Sequence, residues 1–159
     1  MESSSNKDFE QQEDVVQDNI PISIFQEDTT FKELGVCDEL VEACNRLNFK
    51  FPTKIQKEVL PYGLQGKDII GLAETGSGKT LAFGIPVIQS LLENPQPFYA
   101  MVLAPTRELC VQIRDQFDAL GASVSLKCCV IVGGLDPMSQ AIALSKKPHI
   151  SNYYYHNLD

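Results

Sequence analysis

The residues best able to do chemistry lie in one stretch, 73-AETGSGKT-80. Gly76 and Gly78 let the chain turn tightly, so that successive backbone N–H groups converge on one point, as phosphate oxygens require. Lys79 supplies a positive charge that reaches the β- and γ-phosphates of a nucleotide, and the Thr80 hydroxyl is the group that would hold Mg²⁺. A helix starting near Lys79 adds the positive end of its dipole. Glu74, Thr75 and Ser77 fill out the loop. The general pattern asks for glycine where Ala73 stands, and Gly71 is out of register with it. A Gly-rich turn with an incidental lysine is the bland alternative. The apolar run before the loop and the helical pattern after it favour a nucleotide site.

These residues need elements to position them. Val36, Leu40, Val41, Cys44 and Leu47 recur at helical spacing. In 49-FKFPTKIQKEVLPYGLQG-66, Pro52 opens a second helix with Ile55, Val59 and Leu60 as its buried stripe. Three apolar runs, 68-DIIGLA-73, 99-YAMVLA-104 and 127-KCCVIV-132, read as strands. Each leads through a turn into a helix, over about 79–92, 105–120 and 136–146, with Pro86 expected to break the first. Leu109, Ile113, Phe117 and Leu120 form the stripe of the second, and Gly121 is its natural stop. Strands alternating with helices predict an α/β fold, a parallel sheet with helices on both faces.

The 159 residues suffice for one domain. The hydrophobic content of 43% and charged content of 21% are ordinary for a soluble protein. No apolar run is long enough to span a bilayer, and no secretory signal opens the chain. Five cysteines without a Cys-x-x-Cys pair, and only His149 and His156 beside them, fit reduced thiols in an intracellular protein better than disulfides or zinc. The net charge of −8 is local, because residues 1–30 hold eight acids against Lys7 alone. The near-neutral remainder permits a nucleic-acid partner without demanding one. Residues 1–28 read as a disordered acidic tail.

Further segments narrow the class of nucleotide site. The stretches 31-FKELGV-36 and 48-NFKFPTKIQ-56 resemble the Q motif of DEAD-box RNA helicases, 73-AETGSGKT-80 has that family's form of the phosphate loop, 105-PTRELCVQI-113 looks like its first RNA-contacting motif, and 133-GG-134 stands where the family places a paired glycine beside RNA. The resemblance covers residues 31 to about 150, and is closest to the nucleolar members that process pre-ribosomal RNA. It implies a RecA-like ATP-binding domain over residues 58–150, preceded by a Q-motif segment over 29–57. It implies that Gln56 reads adenine through its amide, which can donate and accept at once, with Phe31 stacking on the base and Thr53 in support. It implies that Pro105, Thr106, Arg107, Gly133 and Gly134 meet single-stranded RNA. ATP and Mg²⁺ are the implied cofactors. RNA and protein cofactors of ribosome assembly are the implied partners, in the nucleus or nucleolus. Asn48 departs from the family's usual glycine.

Each role has a plainer alternative: Phe31 as a core aromatic, Gln56 as a surface polar residue, Arg107 paired with Glu108 or solvent, and the glycine pair as a simple turn. A preference for GTP would point instead to another phosphate-loop class. The family's Asp-Glu-Ala-Asp, Thr-Pro-Gly-Arg and Ser-Ala-Thr motifs are absent from the 159 residues. The stretch 151-SNYYYHNLD-159 shows neither helix nor strand logic, and is expected to be a divergent ending on a sheet truncated after about its third strand. An aromatic tail that stacks on RNA is the other reading of its tyrosines. Hydrolysis by these residues alone is not expected, and a non-hydrolysing ATP- or partner-binding fragment is the alternative.

Overall fold

Two helices come first in the computed structural model, which describes residues 29–154. The proposed acidic tail and residues 155–159 lie outside the described residues. Helix α1 (Asp38–Arg46) buries Leu40, Ala43 and Cys44, the i, i+3, i+4 set that the spacing predicts. Asp38 and Glu39 in its first turn and Arg46 in its last complement the helix dipole. Helix α2 (Lys54–Gly63) buries Ile55, Gln56 and Leu60. Pro61 sits in its final turn, so the one ladder bond that it removes lies near the end of the helix.

Helix α3 (Lys79–Glu93) begins directly after the glycine loop and runs unbroken through Pro86, contrary to the expected break. A proline inside a helix costs about 3 kcal/mol. Each fully buried Leu or Ile returns roughly 1.5–3 kcal/mol, and Leu81, Ile85, Ile88 and Leu91 are all buried on α3. Pro86 also seats on α2: a Cβ added to Gly63 would lie 2.8 Å from its Cγ. The proline is a packing residue here.

Strand β1 (Ala100–Ala104), helix α4 (Arg107–Gly121), strand β2 (Cys128–Ile131), helix α5 (Pro137–Ser145) and strand β3 (Ile150–Tyr154) complete the chain. The three strands form a parallel sheet in the order β1-β3-β2. Helix α4 buries Cys110, Ile113, Phe117 and Leu120, so Cys110 takes the core position expected for the half-buried Leu109. Phe117 fits against Gly84 of α3, where an added Cβ would be 3.3 Å from its ring. Gly121 is the last residue of α4, yet its φ of −87° is not the left-handed cap. It is needed because Leu126 fills the space where a Cβ would stand, 2.3 Å away.

Two sequence expectations fail at the sheet. The run 68–73 is not a strand, and Ile70 and Leu72 are 94% and 90% exposed. A strand exists only through its ladder partners, and among the described residues none pairs with this segment. Conversely, residues 150–154 form the central strand despite their composition. Ile150 pairs with both Ala100 and Cys128, so backbone hydrogen bonding on two sides overrides the weak side-chain pattern. Ala100, Val102 and Ala104 face the core, whereas the alternate residues Met101 and Leu103 are exposed. Helix α4 packs on all three strands and α5 on β2, so the cover on the second face is only partial.

Candidate nucleotide loop and RNA-contact turn

The N-termini of α2 and α3 meet at the glycine loop. Thr53 is the N-cap of α2, and its hydroxyl donates to the Ser77 carbonyl at 2.8 Å. Gln56 reaches back so that its Oε1 accepts from the Thr53 N–H at 2.9 Å, while its Nε2 donates to the Gly78 carbonyl at 3.0 Å. Gln56 is therefore a buried residue, 3% exposed, and not a surface polar group. Each amide atom spends one of its two hydrogen-bonding sites on these tethers. Two side chains thus fasten α2 to the loop that precedes α3.

Gly76 and Gly78 hold φ angles of +83° and +91°, the left-handed region open to glycine. At Gly78 a Cβ would also stand 2.4 Å from Gln56 Nε2. Lys79 folds back over the loop, its ammonium donating to the Ala73 carbonyl and, at 2.7 Å, to the Glu74 carbonyl. Thr80 is half-buried in the first turn of α3, and Glu74, Thr75 and Gly76 are exposed. A cleft of about 490 Å³ opens between α2 and the loop, lined by Thr53, Lys54, Glu58, Glu74 and Ser77 among others. Ser77 Oγ and Glu58 Oε1 are buried without hydrogen-bond partners. Polar atoms left unpaired beside a cleft fit a site that takes a polar ligand. The first-turn N–H groups of α3 and the Lys79 ammonium suit a phosphate, so these residues fit a nucleotide. Among the described residues no cluster of three His, Cys, Asp or Glu could bind a metal by itself.

Phe31 is buried in this structure. It is 2% exposed and packs in the core with Leu34, Val36 and Leu40.

The second group gathers at the C-terminal ends of the strands. Pro105 follows β1, and Thr106 caps α4 by accepting from the Leu109 N–H at 3.2 Å. Arg107 is exposed, and its guanidinium carbon lies 5.7 Å from the centre of the Tyr154 ring. The expected pairing with Glu108 is not formed. Gly133 and Gly134 form the turn after β2, with Gly134 at φ +81°, and an added Cβ there would stand 3.0 Å from Arg107 Nη2. One residue of this group was not singled out from sequence. Gln140 of α5 pins the end of β2, accepting from the Val132 N–H at 2.9 Å and donating to its carbonyl at 3.1 Å. Tyr154 lies in the segment read from sequence as a divergent ending, or alternatively as an aromatic tail that stacks on RNA. A signal was available only for α5 itself, where Asp136 caps and Pro137 follows.

Cys44 is buried and Cys128 half-buried, and neither is in a disulfide. Burial pushes the Cys44 thiol up to about 11, and burial followed by the Asp118 charge pushes Cys128 higher still, so both stay protonated at neutral pH.

A parallel sheet and a glycine loop feeding a helix define a phosphate-loop protein, with Arg107 at a second helix N-terminus beside a glycine turn. The chain belongs to the DEAD/DEAH box helicase family, whose model matches residues 53–157. Among its relatives, an "ATP-dependent rRNA helicase RRP3" of Gibberella zeae is 65% identical over 121 residues, which are 76% of this chain and 25% of that protein. A "Probable ATP-dependent RNA helicase DDX47" of Mus musculus is 62% identical over 125 residues, 79% of this chain and 28% of that protein. The chain thus spans about a quarter of the length of the curated relatives it matches. The crystal structure of the RNA helicase Prp28 from Chaetomium thermophilum bound to ADP superposes with a TM-score of 0.71 at 36% identity, covering 79% of this chain and 32% of that one.

Proposed function

We infer that the chain carries the ATP-binding loop and one RNA-contact edge of an ATP-dependent RNA helicase that acts in ribosomal RNA processing, in the nucleus or nucleolus. The observation that carries this reading is the double tether of Thr53 and Gln56 to the Ser77 and Gly78 carbonyls. It puts an amide with one donor and one acceptor site still uncommitted beside the loop that would hold phosphates. Gln56 and Thr53 would face adenine. The loop from Ala73 to Gly78 would cradle the phosphates. Lys79 would exchange its two carbonyl partners for phosphate oxygens, and Thr80 would ligate Mg²⁺. Bound ATP supplies the phosphoryl group that the whole enzyme transfers to water. Thr106, Arg107, Gly133 and Gly134, with Pro105 shaping the turn, would hold the RNA backbone.

The relatives' names support the RNA and ribosomal readings, and protein cofactors of ribosome assembly are partners consistent with them. No helix among the described residues is long and apolar enough to cross a membrane. The 159 residues contain no Asp-Glu-Ala-Asp tetrad to position the attacking water, so on their own they would bind nucleotide without turning it over.

The test is binding of a fluorescent ATP analogue, together with phosphate release. Losing a charge-assisted hydrogen bond costs about 1.5–3 kcal/mol, so Lys79→Ala should weaken binding roughly 10- to 100-fold. Neither form should release phosphate. Equal binding by Lys79→Ala would sink the loop's assignment, and GTP competing as well as ATP would remove Gln56 as the adenine reader.

A further inference from the structure

The pairing of β1 with β3 sets Tyr154 opposite Ala104, the residue that precedes Pro105 and the start of α4. Its ring therefore stands beside the turn into that helix, and the Arg107 guanidinium lies over it at 5.7 Å. The guanidinium also approaches Gly134, whose missing side chain leaves it room. Among the described residues no salt bridge engages Arg107. An exposed arginine without a partner spreads over many rotamers and loses that freedom when it binds. A guanidinium stacked on an aromatic face keeps its N–H edges available for a phosphate, because stacking uses the plane and hydrogen bonding the rim.

The geometry points to Tyr154 as a positioning residue of the RNA-contact edge: its ring holds the Arg107 guanidinium over the Gly133–Gly134 turn, ready for a phosphodiester of single-stranded RNA. This rests on the RNA reading above. Tyr154 does its work through Arg107 and needs no contact with RNA of its own. The contact with Arg107 is made by the ring, so phenylalanine should serve as well as tyrosine.

The experiment measures binding of the 159-residue chain to a labelled oligouridylate by fluorescence anisotropy over a range of salt. Tyr154→Leu should weaken binding about three- to tenfold, the scale of a partly exposed cation–π contact. Tyr154→Phe should stay within about twofold. Arg107→Ala should weaken binding and reduce the salt slope by about 0.7, the contribution of one phosphate contact on a single strand. The deciding arm is the double variant: in the Arg107→Ala background Tyr154→Leu should have no further effect. Tyr154→Leu binding like the unaltered chain, or costing as much without Arg107 as with it, overturns the proposal and leaves the RNA reading intact. Arg107→Ala binding like the unaltered chain overturns the RNA reading and the proposal together. Should Tyr154→Leu lose its helical circular dichroism, Tyr154→Trp carries the same test in a chain that has no other tryptophan. Its emission should shift when the oligomer is added and stay still once Arg107→Ala is introduced; an emission that never responds to RNA counts against the role.

Discussion

Gln56 shows how one side chain can serve two ends. Its amide closes the first turn of α2 through the Thr53 N–H and holds the glycine loop through the Gly78 carbonyl. Lys79 is likewise held by the loop, through the Ala73 and Glu74 carbonyls, so a phosphate must compete with backbone oxygens for its ammonium. The loop is preshaped by glycines and closed over itself by its own lysine. Gly78 is the residue that joins these features. An alanine there would carry the strain of φ +91° and push its Cβ to 2.4 Å from the Gln56 amide. Gly78→Ala should lower stability by about 2 kcal/mol, read as a fall in Tm, and weaken binding of the ATP analogue as well. A variant that melts like the unaltered chain would show that the tether does not hold the loop.

Among the elements, β3 is the least ordinary. It lies between two parallel neighbours, where apolar residues are the rule, yet its middle residue is Asn152. That side chain is fully buried, donates to the Cys129 carbonyl at a long 3.5 Å, and leaves Oδ1 without a partner. A buried acceptor without a hydrogen bond costs about 1–3 kcal/mol. Asn152→Leu, close to Asn in shape, should therefore raise stability by about 1 kcal/mol, or Tm by about 4 °C. Thermal unfolding measures it directly, and a fall in Tm would mean that the amide is paired in solution. Helix α3 teaches the opposite lesson: Pro86 breaks a local rule, and burial of the helix on both sides of it outweighs the penalty.

For the whole molecule, the balance of covered and open surface decides behaviour. Below the sheet, α1 and α4 share a sealed core centred on Leu40, Phe117, Leu120 and Ile150. Elsewhere Ile70, Leu72, Met101 and Leu103 are all more than half exposed, and among the described residues β1 is an edge strand with no ladder on its outer side. Unpaired edges with apolar side chains invite pairing between copies. The chain at micromolar concentration should scatter light above the monomer value. Leu103→Lys combined with Ile70→Lys should return it toward monomer, since charge on an edge blocks such pairing. If the unaltered chain sediments as a clean monomer, the open edge is less adhesive than its composition implies.

Local chemistry was legible in the sequence by itself: the glycine loop with Lys79 and Thr80, the helices that follow each turn, the stripe of α4, and the motif set that the family match bears out. These depend on residue type at short spacing, which the chain carries whatever its tertiary contacts. Tertiary structure alone decided the rest. Whether 68–73 or 150–154 becomes a strand depends on which segment finds hydrogen-bonding neighbours, and apolarity cannot report that. Phe31 is buried in a core cluster that also holds residues of α3 and α4. Arg107 meets Tyr154, 47 positions along the chain, only because parallel pairing of β1 and β3 brings Ala104 opposite Tyr154. Backbone pairing between distant segments leaves no trace in the spacing of residues along either one.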